Sequence, residues 1–231
     1  VEQHEKKISF SSLPAHLIPK TESEAYAVQS ELFDLRKSRL GPIAGYKVAL
    51  TSKVMQKLLQ FPSPFSGPLH TQLIYTDGAS ITAADYGRIC IECEIAAVLK
   101  NDLLPRDQPY NASDIAGAID TIGPALEIVD DRHADYDRIS DEVLTLIADN
   151  AWNAGIVRGR MIEDWKNLDL ADLQGTVYIN DTLIDTGYGR DVLGHPFNAL
   201  AWLSNKILEQ NQIIQAGMTV MTGTRTTTQL V

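Results

Sequence analysis

Apolar and polar positions along the chain switch between a helical and a strand period without a regular repeat. Thr21 and Glu24 stand at capping-box spacing, and Ala25, Val28, Leu32 and Leu35 form one apolar stripe, which predicts a helix ended by Gly41-Pro42. A short strand is predicted over Tyr46 to Ala49. Ser52 then caps a short helix with Val54 and Leu58 turned inward. Phe61 to Leu69 is rich in proline and reads as a structured loop. Ile89 to Leu99 is a strand, Ser113 to Asp120 a short helix, and Gly123-Pro124 introduces a strand over Ala125 to Val129. Ser140 caps a helix to about Asp149. Thr176 to Thr186 reads as a hairpin turning at Asn180-Asp181, Pro196 as the first residue of a helix containing Phe197, Leu200, Leu203 and Ile207, and Met218 to Met221 as a last short strand. Interspersed elements without a βαβ rhythm predict a mixed, largely antiparallel α+β fold.

The pattern lacks G-x-G-x-x-G after a strand, G-x-x-x-x-G-K-[ST], H-E-x-x-H and G-x-S-x-G. Dinucleotide binding, P-loop chemistry, zinc proteolysis and serine-elbow hydrolysis all lose support. With 231 residues, the chain can build one large domain with its own core. It carries 30 acidic against 20 basic residues, a net charge of −10, which argues against nucleic acid and anionic membranes as partners. An acidic protein that handles an anionic substrate needs a local cation, and a bound metal is one solution. No apolar run approaches the ~20 residues of a membrane span. The opening VEQHEKKISF lacks the long apolar core of a signal peptide, so a cytoplasmic location is the expectation.

Cys90 and Cys93 make a C-x-x-C pair. On a strand, residues three apart point to opposite faces, so these thiols cannot share a metal or a disulfide. We expect two small core residues.

The same strand holds the candidate chemistry. Glu92 and Glu94 are two apart and share a face, while Ile91, Cys93 and Ile95 take the other. A Glu-x-Glu strand usually lies on a solvated face. Here the strand continues into Ala96-Ala97-Val98-Leu99, apolar on both faces, with no Lys or Arg beside the acids. Glu127 sits alone among Ala125, Leu126, Ile128 and Val129 on another apolar strand. Like charges in poorly solvated places need a cation, and an oxygen-only set suits Mg2+ or Mn2+.

Several fragments together resemble a known family: Gly45-Tyr46-Lys47-Val48-Ala49-Leu50-Thr51-Ser52, Ile91-Glu92-Cys93-Glu94-Ile95-Ala96, Pro124-Ala125-Leu126-Glu127-Ile128-Val129, Ala148-Asp149-Asn150-Ala151 and Leu193-Gly194-His195-Pro196-Phe197 through Leu203. They resemble the 2-keto-4-pentenoate hydratase / 4-oxalocrotonate decarboxylase group of the fumarylacetoacetate hydrolase superfamily, in the expected order from Gly45 to Thr224. The resemblance implies a β-roll with peripheral helices, in one catalytic domain over 1–231 with a helical part over 1–44 and the metal-site roll over 45–231. It implies Mg2+ or Mn2+ held by Glu92, Glu94 and Glu127, with Lys47 as proton shuttle and Asp149 as a second catalytic group. It also implies substrate contacts at Leu50, Thr51, Asn150, Thr222 and Thr224. The implied activity is a metal-dependent hydratase of 2-hydroxypenta-2,4-dienoate-like acids in aromatic catabolism. Alternatives are a 4-oxalocrotonate-type decarboxylase, an acylpyruvate C–C hydrolase, or an inactive binding homologue. A homo-oligomer is expected by the same analogy.

Phe65-Ser66-Gly67 stands where this group often has Asp-Phe-Gly, so Phe65 replaces an expected acid. Relatives also begin earlier and continue past the position of Val231, which predicts a shortened chain. Among the remaining residues, His195 is expected to cap or pack the helix that Pro196 opens. Arg225 is either a partner for a substrate carboxylate or a surface charge. Asp130, Asp131 and Asp135 are expected in solvent.

Overall fold

The computed structural model describes residues 1–231. The N-terminal part contains α1 (Glu2–Glu5), α2 (Glu22–Leu40), β1 (Ile43–Ala49), α3 (Lys53–Leu58), β2 (Phe65–His70) and β3 (Ile74–Thr76). The middle contains β4 (Ile89–Leu99), α4 (Ala112–Ala118), β5 (Ile119–Asp130), α5 (Val143–Ala148) and β6 (Asn153–Arg158). A hairpin of β7 (Gln174–Ile179) and β8 (Thr182–Tyr188), the helix α6 (Pro196–Glu209) and the short strands β9 (Thr219–Met221) and β10 (Gln229–Leu230) complete the chain.

One mixed sheet runs β2-β1-β9-β4-β5-β6-β3, with β10 added to β4, and curls into the expected roll. Only the β1–β9 and β3–β6 pairs are parallel. Alternation gives the sheet two unlike faces. Ile95, Ala97 and Leu99 of β4 face outward into the main core, where Leu103, Ile115, Phe197, Leu200, Leu203 and Ile207 close over them. The inner face carries two smaller apolar clusters, one around Cys90, Phe65, Val129 and Trp152 and one around Ala96, Ala125 and Met221. Glu92 and Glu94 lie on β4 between Cys90 and Ala96, so they interrupt an otherwise apolar face. No helix is long and apolar enough to cross a membrane.

Local signals hold well. Thr21 accepts a hydrogen bond from the Glu24 amide at 3.2 Å, and the Glu24 carboxylate reaches the Lys20 amide at 2.7 Å. Ser52 accepts from the Met55 amide. Asn180 and Asp181 both have positive φ, as a two-residue hairpin turn demands. Pro196 opens α6, and His195 Nδ1 caps it by accepting from the Phe197 amide at 3.0 Å. Cys90 and Cys93 are free and buried.

Five expectations need correction. The buried face of α2 is Ala25, Tyr26, Gln29 and Phe33, whereas Leu35 is 67% exposed. Phe65 to Leu69, expected in the Phe61–Leu69 loop, instead form a fully buried strand with His70. β2 has no second strand partner, and side chains take over its outer edge instead. The Ser66 amide donates to the Tyr26 hydroxyl, while Gln29 and Asn150 donate to the Ser66 and Pro68 carbonyls. This edge work is what draws Gln29 into the interior in place of a stripe residue, and Pro68 is tolerated because an edge needs no donor there. Val54 and Leu58 of α3 point outward, 77% and 51% exposed. Finally, β5 begins at Ile119 rather than after Pro124; Gly123 marks a close backbone approach, since a Cβ there would lie 2.7 Å from the Arg160 carbonyl. Ser140 caps nothing, and a 3-10 turn over Ile139–Glu142 leads into α5.

Candidate metal centre and its cavity

The β4–β5 register sets Glu92 directly opposite Glu127. With Glu94 on the same face, the three residues each offer a carboxylate oxygen, and these atoms lie within 4.8 Å of one another. Glu94 and Glu127 are buried, at 0% and 1% exposure. The surroundings hold each acid in place. The Gly223 amide donates to Glu94 Oε2 at 2.8 Å, Asn153 Nδ2 donates to Glu127 Oε1 at 2.8 Å, and the Thr228 hydroxyl donates to Glu92 Oε1. Gly223 has a φ of +94°, and a Cβ there would sit 2.4 Å from the Thr51 hydroxyl, so the loop that holds Glu94 requires glycine.

Lys47 projects to the same face from β1 and is 1% exposed. Its Nζ lies 3.3 Å from Glu127 Oε1 and 3.5 Å from the Ala151 carbonyl. Through Met221 and Ala96 the register sets Lys47 level with Gly123, three strands away and four residues short of Glu127, roughly 14 Å across and 13 Å along a flat sheet; the curl of the sheet and the reach of the two side chains bring them into contact. The carbonyl that meets Lys47 is placed by Asn150, Ala151 and Trp152, all left-handed with φ of 59°, 47° and 60°. Such a run is costly for non-glycine residues and persists where packing dictates it. Here Trp152 packs edge-on against Phe10 and Tyr136, with ring centroids 5.2 and 5.9 Å away.

Three acids share one lysine, and the charge does not balance. Burial, then the Glu127 charge, pushes the Glu92 carboxyl up to about 7. Burial and the charges of Glu127 and Glu92 push Glu94 well above the carboxylate range. Glu94 Oε1 is buried with no hydrogen-bond partner. An orphaned carboxyl oxygen on a member of an all-oxygen cluster fits a hard divalent cation, which would supply both the charge that ionises the acids and the missing partner.

The cluster opens into a cavity of about 750 Å3. Of the residues expected at the site, Lys47, Leu50, Thr51, Glu92, Glu127 and Thr224 line it. Glu94 lies buried behind that wall, beside Glu92 and Glu127, and the structure does not bring Asp149, Asn150 or Thr222 to it. Asp149 Oδ1 lies 2.7 Å from His4 Nε2, and Oδ2 accepts from Arg132 Nη2 at 2.8 Å. Burial works to raise this carboxyl, but the bonds and charges of His4 and Arg132 outweigh it and hold it below its ordinary value. Asn150 donates to the Pro68 carbonyl. The Thr222 hydroxyl donates to the Ile95 carbonyl at 3.1 Å and is fully buried.

The structure also adds residues. Asn153 and Thr228 hold the acids, as described. Arg225 is buried rather than a surface charge; it lines the cavity, with Nη2 3.4 Å from the Glu94 carbonyl and Nε without a partner, and it packs beneath Gly175 and Gly187 of the hairpin. Asp131, expected in solvent, is 0% exposed and takes two bonds of 2.6 Å from Arg88. Once Glu92 is paired with Glu127, simple counting sets Arg88 opposite Asp131. That signal was present in the two strand sequences.

No family model matches the chain. It is 34% identical to a 2-oxo-hept-4-ene-1,7-dioate hydratase of Escherichia coli over 209 residues, covering 89% of this chain and 78% of that one. It is 34% identical to a 2-keto-4-pentenoate hydratase of Burkholderia vietnamiensis over 200 residues, covering 86% and 74%. A solved 4-oxalocrotonate decarboxylase from Pseudomonas putida G7, complexed with magnesium and adipate, superposes with a TM-score of 0.86 at 27% identity, covering 100% of this chain and 86% of that one.

Proposed function

Because the chain belongs to the 2-keto-4-pentenoate hydratase / 4-oxalocrotonate decarboxylase group of the fumarylacetoacetate hydrolase superfamily, we propose that it is a divalent-metal-dependent hydro-lyase. Its substrates are 2-hydroxypenta-2,4-dienoate-like acids, and its products 4-hydroxy-2-oxo acids, within the breakdown of aromatic compounds. The observation that carries this reading is the convergence of Glu92, Glu94 and Glu127 on one face beneath an apolar cavity, with Lys47 beside them.

In this reading the three glutamates hold Mg2+ or Mn2+. The bound ion supplies Lewis acidity toward the carboxylate and 2-oxygen of a 2-oxo acid. The protein does the rest. Gly223, Asn153 and Thr228 fix the carboxylates before anything binds, so no reorganisation is needed at the reacting centre. Lys47 Nζ holds the mobile proton. Its burial beside Glu127 makes transfer sensitive to small changes of charge nearby. Net reaction requires the substrate to lose its 2-hydroxyl proton and gain one at C5, giving the conjugated 3-enone. Water then adds its oxygen to C4 and a proton to C3. Lys47 serves the first of these transfers. The apolar walls exclude bulk water, so that the enone meets a single placed water molecule.

A decarboxylase of an unsaturated dioate would use the same acidic pole. It would also have to house a second carboxylate further along the cavity, where Arg88 is already committed to Asp131. That favours a mono-acid substrate, which the hydratase reading supplies and an unsaturated-dioate decarboxylase does not. The test is loss of dienol ultraviolet absorbance by purified protein with Mg2+ or Mn2+. Activity abolished by chelator and restored by metal is the expected result. Absence of turnover with metal on 2-hydroxypentadienoate, 4-oxalocrotonate and an acylpyruvate would overturn it.

A further inference from the structure

The cavity floor follows from the β4–β5 register. Glu92 lies opposite Glu127 and Cys90 opposite Val129, and one further step sets Arg88 against Asp131. All six side chains line the cavity. At about 3.3 Å per residue, the Cys90–Val129 step lies roughly 7 Å from the Glu92–Glu127 pair and the Arg88–Asp131 step roughly 13 Å. The floor therefore runs from an acidic pole, over an apolar step, to an ion pair.

That ion pair is closed. Arg88 Nε and Nη2 both donate to Asp131, Nη2 also donates to the Ala134 carbonyl at 3.2 Å, and the Tyr136 hydroxyl donates to Asp131 Oδ2 at 2.9 Å. A ligand carboxylate arriving there meets the Asp131 charge and a guanidinium that already gives Nε and Nη2 to that acid. The walls above are apolar. Val54 and Leu58 of α3, exposed to solvent, overlook the cavity with Phe65, Leu146 and Trp152, while its polar side, Thr224 to Thr228 with Arg225, lies level with Cys93 and Glu94 at the acidic pole, away from the Arg88 end. Its volume of about 750 Å3 is in the upper part of the range of ligand pockets, ~300–1,000 Å3, and a five-carbon acid leaves most of it unfilled.

We propose that the preferred substrate bears a bulky uncharged substituent, an alkyl chain or a phenyl ring, on the dienoate carbon farthest from the carboxylate, and that the cavity discriminates against a carboxylate at that end. This rests on the hydratase reading and narrows it. Each buried methylene is worth roughly fourfold in kcat/KM.

The experiment measures kcat/KM with Mg2+ for 2-hydroxypenta-, 2-hydroxyhexa- and 2-hydroxyocta-2,4-dienoate, for 6-phenyl-2-hydroxyhexa-2,4-dienoate, and for 2-hydroxyhepta-2,4-diene-1,7-dioate. The expected result is a rise of about tenfold or more from the hexadienoate to the octadienoate, similar preference for the phenyl compound, and the dioate lowest. A dioate as good as the octadienoate overturns the inference and leaves the hydratase reading standing. Absence of turnover across the whole series overturns the hydratase reading. Tail preference is then read from melting shifts with Mg2+. A larger shift from 2-oxooctanoate than from 2-oxoheptanedioate sustains the inference, and the reverse or equality overturns it. Asp131→Asn, which frees the Arg88 charge, should raise the dioate relative to the octadienoate by about tenfold. Should that buried change prevent folding, Val54→Arg places a free cation at an exposed edge of the cavity and should move the ratio the same way. An unmoved ratio in the folded variant overturns the role given to charge.

Discussion

Glu92 and Glu127 face one another as a direct cross-strand pair, two carboxylates at opposed positions on the inner face of one sheet. Like charges so placed destabilise a sheet. Lys47 compensates Glu127 at 3.3 Å, and nothing in the protein compensates Glu94 Oε1. The arrangement makes sense as a site whose stability is completed by a divalent cation.

Metal should therefore stabilise the fold. At a concentration of 100 times Kd, Mg2+ or Mn2+ should contribute about 2.7 kcal/mol, a melting shift of roughly 5–10 °C for a chain of this size. Glu94→Gln should abolish that response while leaving the metal-free protein at least as stable as the parent, because it removes a carboxyl that burial and its acidic neighbours disfavour in the ionised form. Scanning calorimetry with chelator and with each metal checks both. A Glu94→Gln protein that still responds to metal would argue against the assigned ligand set.

Lys47→Met keeps the volume and apolar stem of the side chain and removes its charge. Turnover of a dienol should fall about 10²–10⁴-fold, the usual worth of one proton-transfer group. Stopped-flow absorbance at saturating metal measures it. A loss smaller than tenfold in a well-folded variant would remove Lys47 from the proton path.

Asp149 should behave as a structural clamp. Its carboxyl is held below the ordinary carboxylate value, so the stability it contributes is present above the unfolded-state pKa of about 3.9 and is lost as pH falls through the lower folded-state value. Asp149→Asn leaves Arg132, 1% exposed at its side chain, without its anion and should cost about 3–5 kcal/mol at pH 7. The gap between parent and variant should narrow below about pH 4. Urea unfolding at pH 7 and at pH 3 tests this; a gap that stays constant with pH would refute the clamp.

Gly223→Ala combines a φ of +94° with a Cβ 2.4 Å from the Thr51 hydroxyl. It should destabilise by more than about 1 kcal/mol and weaken metal binding, since the amide that holds Glu94 must move. Isothermal titration with Mn2+ on the folded fraction gives the second number. Unchanged affinity would show that this amide does not set the position of Glu94.

What the amino-acid sequence determined by itself is local. Thr21, Ser52, His195 and Pro196 set helix starts, and Asn180-Asp181 set the turn of the hairpin, because caps and turns are satisfied by groups a few residues away. Period-two alternation put Glu92 and Glu94 on one face of β4, the lone acid on an apolar strand added Glu127, and the family resemblance added Lys47. Tertiary structure alone decided the rest. It buried Gln29 and turned Leu35 outward, because β2 needed its edge bonds met by α2. It set Val54 and Leu58 over a cavity instead of a core. It drew Asp131 to Arg88, and Asp149 to His4 across 145 positions of chain. In each case the side chain's partner is far away in sequence, and the cost of burying a polar group depends on that partner, which no local pattern contains.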